Sequence, residues 1–159
     1  MDTSSPRYGV ATREQIATLT GLQTMQAILD GVLPQAPISK TLGFVLVEVG
    51  PGVAVFEGTP TAELLNPMGG VHGGWALTLI DSATGCAGFT VLPAGVGYTT
   101  IETKGNMTRA ITPQTGPVRA EGRVLTQGRQ VIVCDARLTD SAGKVLALGT
   151  STLMVLGPR

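Results

Sequence analysis

The stretch Trp75-Ala76-Leu77-Thr78-Leu79-Ile80-Asp81-Ser82-Ala83-Thr84-Gly85-Cys86-Ala87-Gly88-Phe89 is almost continuously apolar or small. It is too long for a strand, and Gly70-Val71-His72-Gly73-Gly74 before it supplies an opening turn, so one long, mostly buried helix is expected. Outside this stretch the pattern changes. Gly43-Phe44-Val45-Leu46-Val47-Glu48-Val49, the turn Gly50-Pro51-Gly52 and the run from Val53 to Pro60 read as a strand hairpin. Beyond Pro93, strand signals return over Tyr98 to Arg109, Pro117 to Thr126, Gln130 to Thr139 and Lys144 to Val155. In the second of these, Val118, Ala120, Gly122 and Val124 alternate with Arg119, Glu121, Arg123 and Leu125. Turns at Gln127-Gly128 and Asp140-Ser141-Ala142-Gly143 join the last three strands. One helix among about five strands implies an α+β architecture, an antiparallel sheet wrapped around a single helix.

Toward the N-terminus, Ile16, Leu19, Leu22, Met25, Ile28 and Leu29 recur mostly at three- and four-residue steps. That spacing predicts one amphipathic helix from Thr12 to Asp30, closed by Gly31 and acting as a lid or cap. The proline-marked segment Leu33-Pro34-Gln35-Ala36-Pro37 reads as a linker. The expected division is a tail and capping helix over 1–32 and the sheet-and-helix domain over 33–159.

With 159 residues the chain suits one domain that buries its core without disulfides or metal. Hydrophobic residues make up 43% and charged residues only 14%, too apolar for disorder and sparing enough that other subunits are expected to cover much of the surface. Eleven basic and eleven acidic residues cancel, with no run of Lys or Arg, which argues against nucleic acid as a partner. Cys86 and Cys134 lie in apolar runs and read as small core residues. The opening Met1-Asp2-Thr3-Ser4-Ser5-Pro6-Arg7-Tyr8-Gly9-Val10 has neither a basic n-region nor an apolar h-region, and no apolar run approaches membrane-spanning length. A cytoplasmic protein without membrane contact is expected.

Chemical interest concentrates in Asn66-Pro67-Met68-Gly69-Gly70-Val71-His72-Gly73-Gly74 and in Asp81. A carboxylate on a buried helix is costly unless donors surround it, and no Lys or Arg occurs between Lys40 and Lys104. Such a carboxylate suits a general base or a nucleophile, and it equally suits a structural role in which Ser82, Thr84 or Thr78 hydroxyls satisfy it. Gly73 and Gly74 fall in the first helical turn, where backbone N–H groups lack intrahelical partners. Without a Cβ, Gly73 lets a carbonyl approach its amide, the position of an oxyanion donor, although a Gly-Gly pair is more commonly a plain turn. His72 is the one histidine, and with two buried cysteines it makes a poor metal set, so no metal is expected. Gly73 and Asp81 stand eight residues apart, about 12 Å along a helix axis. A base and an oxyanion donor must both lie about 3 Å from the reacting group, so if both act, they come from different chains of a two-fold dimer.

The segment from Asn66 to Gly88, with the pattern N-x(5)-H-G-G-x(6)-D, resembles the signature of PaaI-type hotdog-fold thioesterases. Thr99 to Ile111 and Gly122 to Asp140 are similar to the same family, so the resemblance runs from about Leu33 to Val155. It implies a hotdog fold, the sheet wrapped around one long helix with the N-terminal helix added. It implies Asp81 as the catalytic carboxylate, the Gly73 amide polarising a thioester carbonyl, Asn66 placing the carbonyl or the attacking water, and His72 orienting the loop. A threonine of the Tyr98-Thr99-Thr100 segment, Thr100 rather than Thr99, matches a hydroxyl that helps hold the water. Gly74, Thr99, Arg109 and the turn bearing Arg129 and Gln130 fall where relatives contact substrate or CoA. Gly105 and the run Asn106-Met107-Thr108-Arg109-Ala110 depart from the family pattern and imply a widened acyl or CoA channel.

The implied activity is hydrolysis of a small aryl- or medium-chain acyl-CoA to the free acid and CoA. No cofactor is expected, since CoA is part of the substrate. The expected working form is a homodimer that builds the site, assembled as a homotetramer. A non-catalytic acyl-CoA binding or sensing protein on the same fold is the alternative. A hydratase is the weaker one, because its acid/base pair would have to converge on one carbon.

Overall fold

The computed structural model describes residues 6–157, so the first five residues of the expected tail lie outside it. In chain order it contains α1 (Arg13–Ile16), α2 (Gly21–Leu29), α3 (Pro37–Leu42), β1 (Phe44–Gly50) and β2 (Val53–Gly58). There follow α4 (Gly73–Thr90), β3 (Gly97–Met107), β4 (Val118–Gln127), β5 (Val131–Asp140) and β6 (Val145–Leu156). The strands form one six-stranded sheet in the order β1-β2-β4-β5-β6-β3, every neighbouring pair antiparallel. α4 touches all six, so the sheet wraps the helix as expected.

Inward residues of the strands and most of α4 share one core. Leu79, Ile80, Ala83 and Ala87 are fully buried against Phe56, Val118, Ala120, Leu138 and Ala147. Two glycines let the helix lie this close. A Cβ on Gly122 would run into the Ala83 carbonyl, and one on Gly149 would stand 2.5 Å from Ile80 Cγ2. Overpacking there would push α4 off the sheet.

The single helix expected from Thr12 to Asp30 is instead two. Thr12 caps α1 and Thr20 caps α2, each in a capping box, with Gln15 and Gln23 respectively. The break brings Gly21 against the end of α4: its N–H donates to the Leu92 carbonyl at 3.0 Å, and a Cβ there would collide with the Phe89 carbonyl. α2 packs as a cap on β1 and α4, with Met25 in the core. The expected linker continues into α3, which starts at Pro37 and ends at Gly43 in the left-handed region. Gln35 within it is buried, its Oε1 accepting from the Leu46 N–H at 3.2 Å. No helix among the described residues is long and apolar enough to cross a membrane.

Candidate active site

α4 begins where His72 caps it. His72 has extended backbone (φ −62°, ψ 131°), and its Nδ1 accepts from the Gly74 N–H at 2.9 Å. A neutral imidazole in this role carries its proton on Nε2. The Gly74 amide is thereby committed to the imidazole. The Gly73 N–H has no acceptor among the described residues and stands at the positive end of an 18-residue helix.

The loop leading into α4 is held from within. Asn66 Oδ1 accepts from the Met68 N–H at 2.9 Å and the Gly70 N–H at 3.3 Å, and the Asn66 N–H donates to the Gly70 carbonyl at 2.7 Å. These bonds occupy the amide oxygen and leave Nδ2 as the donor that Asn66 could offer a ligand. The Val71 N–H donates to the Ile111 carbonyl, tying the loop to the segment after β3, and the His72 N–H donates to the Leu64 carbonyl just before the loop.

Asp81 lies two turns into α4, half-buried, with no cation paired to it among the described residues. The hydroxyl that satisfies it comes from β3: Thr103 donates to Oδ1 at 2.8 Å. Thr103 is also 3.0 Å from Ser151 Oγ, and Ser151 is 2.7 Å from the fully buried Thr84 hydroxyl. Neither Thr99 nor Thr100 hydrogen-bonds Asp81 within the chain; Thr100 pairs with Leu153 near the other end of β3. Thr103 is absent from the expected site because β3 carries a bulge between Thr100 and Glu102 that resets which residues face inward, and Ser151 on β6 is its cross-strand partner. Period-two alternation from Thr103 through Gly105 to Met107 is the one signal that could have located the Thr103 hydroxyl.

Gly105 brings β3 close rather than opening a channel at this point. A Cβ there would stand 3.0 Å from Leu77 Cδ1 and 3.3 Å from Ile80 Cδ1. Arg109 is exposed just past β3, two residues from the Ile111 carbonyl that holds Val71, and so on the side of the Asn66–His72 loop. Arg129 and Gln130 are exposed in the β4–β5 turn at the opposite end, where Gln127 Nε2 donates to the Val91 carbonyl just past α4 at 3.3 Å. The 18 residues of α4 span about 27 Å, so one chain's Arg109 and Arg129 flank opposite ends of the helix.

Below Asp81, Cys86 and Tyr98 lie together. Burial first, then the Asp81 carboxylate, push the Cys86 thiol up to about 12, with the Tyr98 hydroxyl opposing. Burial, Cys86 and Asp81 likewise raise Tyr98 well above its ordinary range. Burial, then Asp135, push Cys134 up to about 11. Both thiols are thus neutral at physiological pH and poor nucleophiles. Among the described residues, no group of three His, Cys, Asp or Glu side chains could hold a metal.

The sequence profile of the thioesterase superfamily matches residues 68–147, from the loop before α4 into β6. A candidate esterase of Saccharolobus solfataricus is 34% identical over 120 residues, 75% of this chain and 83% of that protein. Among solved structures, a candidate thioesterase of Ralstonia eutropha related to phenylacetic acid degradation superposes with a TM-score of 0.74 at 27% identity. That match covers 82% of this chain and 98% of the other. A Streptococcus mutans protein solved bound to acetyl CoA superposes with a TM-score of 0.66 at 25% identity, covering 74% and 91% of the two chains.

Proposed function

This chain belongs to the thioesterase superfamily, and we propose that within it the protein hydrolyses a small aryl- or medium-chain acyl-CoA to the free acid and CoA. The observation that carries this reading is a pair of groups on α4: an uncapped Gly73 amide at the helix start, and Asp81, oriented by Thr103, two turns later. The acetyl CoA bound by the Streptococcus mutans neighbour supports a CoA ester as the ligand class.

In this mechanism Asp81 removes a proton from water as its oxygen bonds to the thioester carbon, or its carboxylate attacks that carbon directly. The carbonyl π electrons move onto oxygen, where the Gly73 N–H receives the charge. The tetrahedral species collapses, the C–S bond breaks, and CoA leaves as a thiolate that takes up a proton. In the direct route water then cleaves the acyl-aspartate. Asn66 Nδ2 and a hydroxyl from Thr100 or Thr99 would place the carbonyl and the water, while His72 keeps the Gly73 amide exposed by holding Gly74. No cofactor enters.

Eight helical steps from Gly73 to Asp81, about 12 Å, forbid one chain from gripping one carbonyl with both, so the site takes its two halves from two copies. β3 supports this. It is an unpaired sheet edge of 11 residues, with Ile101 57% and Met107 45% exposed, the kind of edge proteins cover. Thr103 marks the level of Asp81, and Met107, whose Cε lies 3.5 Å from the position a Gly73 Cβ would take, marks that of Gly73. Four strand residues advance about 13 Å and eight helical residues about 12 Å, so the two spacings match. Antiparallel pairing of two β3 edges about Gly105 would set Asp81 of each copy level with Gly73 of the other. It would also bring Arg129 and Gln130 of one copy to the end where Arg109 of the other waits for CoA phosphates. The proposed form is this homodimer, doubled into a homotetramer in the cytoplasm, with neither nucleic acid nor membrane as partner.

The test is thiol release across aryl-, short-, medium- and long-chain CoA esters by the wild type and Asp81→Asn. Turnover by the wild type and its loss by at least about 100-fold in the variant are expected. Undiminished hydrolysis by Asp81→Asn discards the role given to this carboxylate. Tight CoA binding without hydrolysis across the panel makes the protein an acyl-CoA binder.

A further inference from the structure

Asp81, Gly85 and Phe89 are four residues apart and stack on one face of α4, each about 6 Å below the last. Tyr98 of β3 leans against this face. A Cβ on Gly85 would stand 2.8 Å from the Tyr98 hydroxyl and 3.2 Å from its ring, and the ring centroid lies 5.8 Å from that of Phe89. Gly85 is buried, so the space its side chain would take belongs to the tyrosine. A phenol thus stands one helical turn below the carboxylate.

Behind Tyr98 and Phe89 is a cavity of about 390 Å³. Val96 and Leu156 line it, and Ile16 and Leu19 from the α1 region line it as well. Its size falls within the range of small-molecule sites, and its lining is mostly apolar.

We propose that Tyr98 is the floor of the acyl site: it narrows the proposed substrate to a straight chain of up to about six carbons, the short end of the medium-chain range, or a single ring, and it separates the reacting carbonyl from the apolar cavity behind. This rests on thioester hydrolysis at Asp81. From the carboxylate to the phenol there is one turn, about 6 Å, and an extended chain advances about 1.2 Å per bond, so about five bonds fit. A longer acyl group meets the Tyr98 ring, which cannot retreat toward α4 because the helix backbone at Gly85 is already against it. Gly85 is then the residue that lets the floor stand so near Asp81, and Phe89 supports the ring from the next turn.

The experiment is the chain-length profile of kcat/KM on straight-chain CoA esters from acetyl to dodecanoyl, for the wild type, Tyr98→Phe and Tyr98→Ala. The wild type should peak at or below about six carbons. Tyr98→Phe, which keeps the ring, should retain that optimum. Tyr98→Ala opens the cavity and should move the optimum up by about four carbons, with at least about a tenfold gain on the longest esters. Should Tyr98→Ala fail to fold, Tyr98→Leu shortens the side chain while keeping apolar volume and is read the same way. An active, folded Tyr98→Ala or Tyr98→Leu with the wild-type optimum overturns the proposal and leaves hydrolysis at Asp81 standing, as does a wild type that peaks on dodecanoyl-CoA. A wild type that hydrolyses no ester on the panel overturns both readings.

Discussion

The Thr103 hydroxyl donates to Asp81 Oδ1 across 2.8 Å, from a sheet edge to the middle of the central helix. Each hydroxyl has one proton to give. With Thr103 committed to the carboxylate and Thr84 to the Ile80 carbonyl at 2.8 Å, Ser151 holds the one free proton, and given to Thr103 it completes a short line, Ser151 to Thr103 to Asp81. Such a line polarises toward the carboxylate and fixes its rotamer. A hydrogen bond to a charged group is worth about 1.5–3 kcal/mol, so Thr103→Val is expected to lower kcat about 10- to 100-fold. Thr103→Ser should recover most of it. A Thr103→Val enzyme with wild-type kcat would show that the contact does not orient the reacting group.

Hydrophobic periodicity places the hairpin, α4 and the later strands to within a few residues; the helix read from Trp75 to Phe89 spans Gly73–Thr90. Those elements are legible because burial on the core dictates their spacing. The division of the N-terminal helix is not, because apolar residues keep helical spacing across Thr20-Gly21 while the break answers a contact with Phe89 far away in the chain. Of the site, Asp81 stands out as a carboxylate in an apolar run and Gly73 as a glycine at a helix start. Thr103 and Tyr98 are hidden. A bulge decides that Thr103 faces inward, and the absent side chain of Gly85 decides where Tyr98 rests.

His72 acts on α4 through its Nδ1, which takes the Gly74 N–H. Replacing such a cap with alanine costs about 1 kcal/mol, so His72→Ala should lower Tm by about 2–4 °C. His72→Asn supplies another short acceptor and should restore most of the loss. Equal melting of His72→Ala and the wild type would remove the capping role.

Buried acids that are neutral in the folded state make stability depend on high pH. The Cys86 and Cys134 thiols are raised from 9.0 to about 12 and about 11, and Tyr98 is raised in the same direction. Between the unfolded and folded values the unfolded chain holds fewer protons, so unfolding free energy falls as pH rises. The stabilisation is complete below about pH 9 and is lost as pH climbs toward 11 and 12. Urea midpoints should therefore be flat from pH 7 to 8.5 and fall above 9, and a Cys86→Ala, Cys134→Ala chain should fall less steeply. Identical slopes for the two proteins would assign the alkaline loss to other groups.

Gly73 is the first residue of α4, the position where proline is best tolerated, and His72 before it already has the extended backbone that proline demands. The nearest neighbour of a new Cβ there is Met107 Cε at 3.5 Å, an ordinary contact. Gly73→Pro should thus fold while deleting the one amide assigned to the oxyanion, and kcat is expected to fall about 100- to 1,000-fold. Mixed with Asp81→Asn by unfolding and refolding together, it gives a sharper result. Random pairing makes half of the dimers mixed, and in each mixed dimer one of two sites joins an intact Gly73 to an intact Asp81. Activity should return to about a quarter of the wild-type level. Were both groups to act within one chain, every site in the mixture would still lack one of them, and the refolded sample would be no more active than its parents.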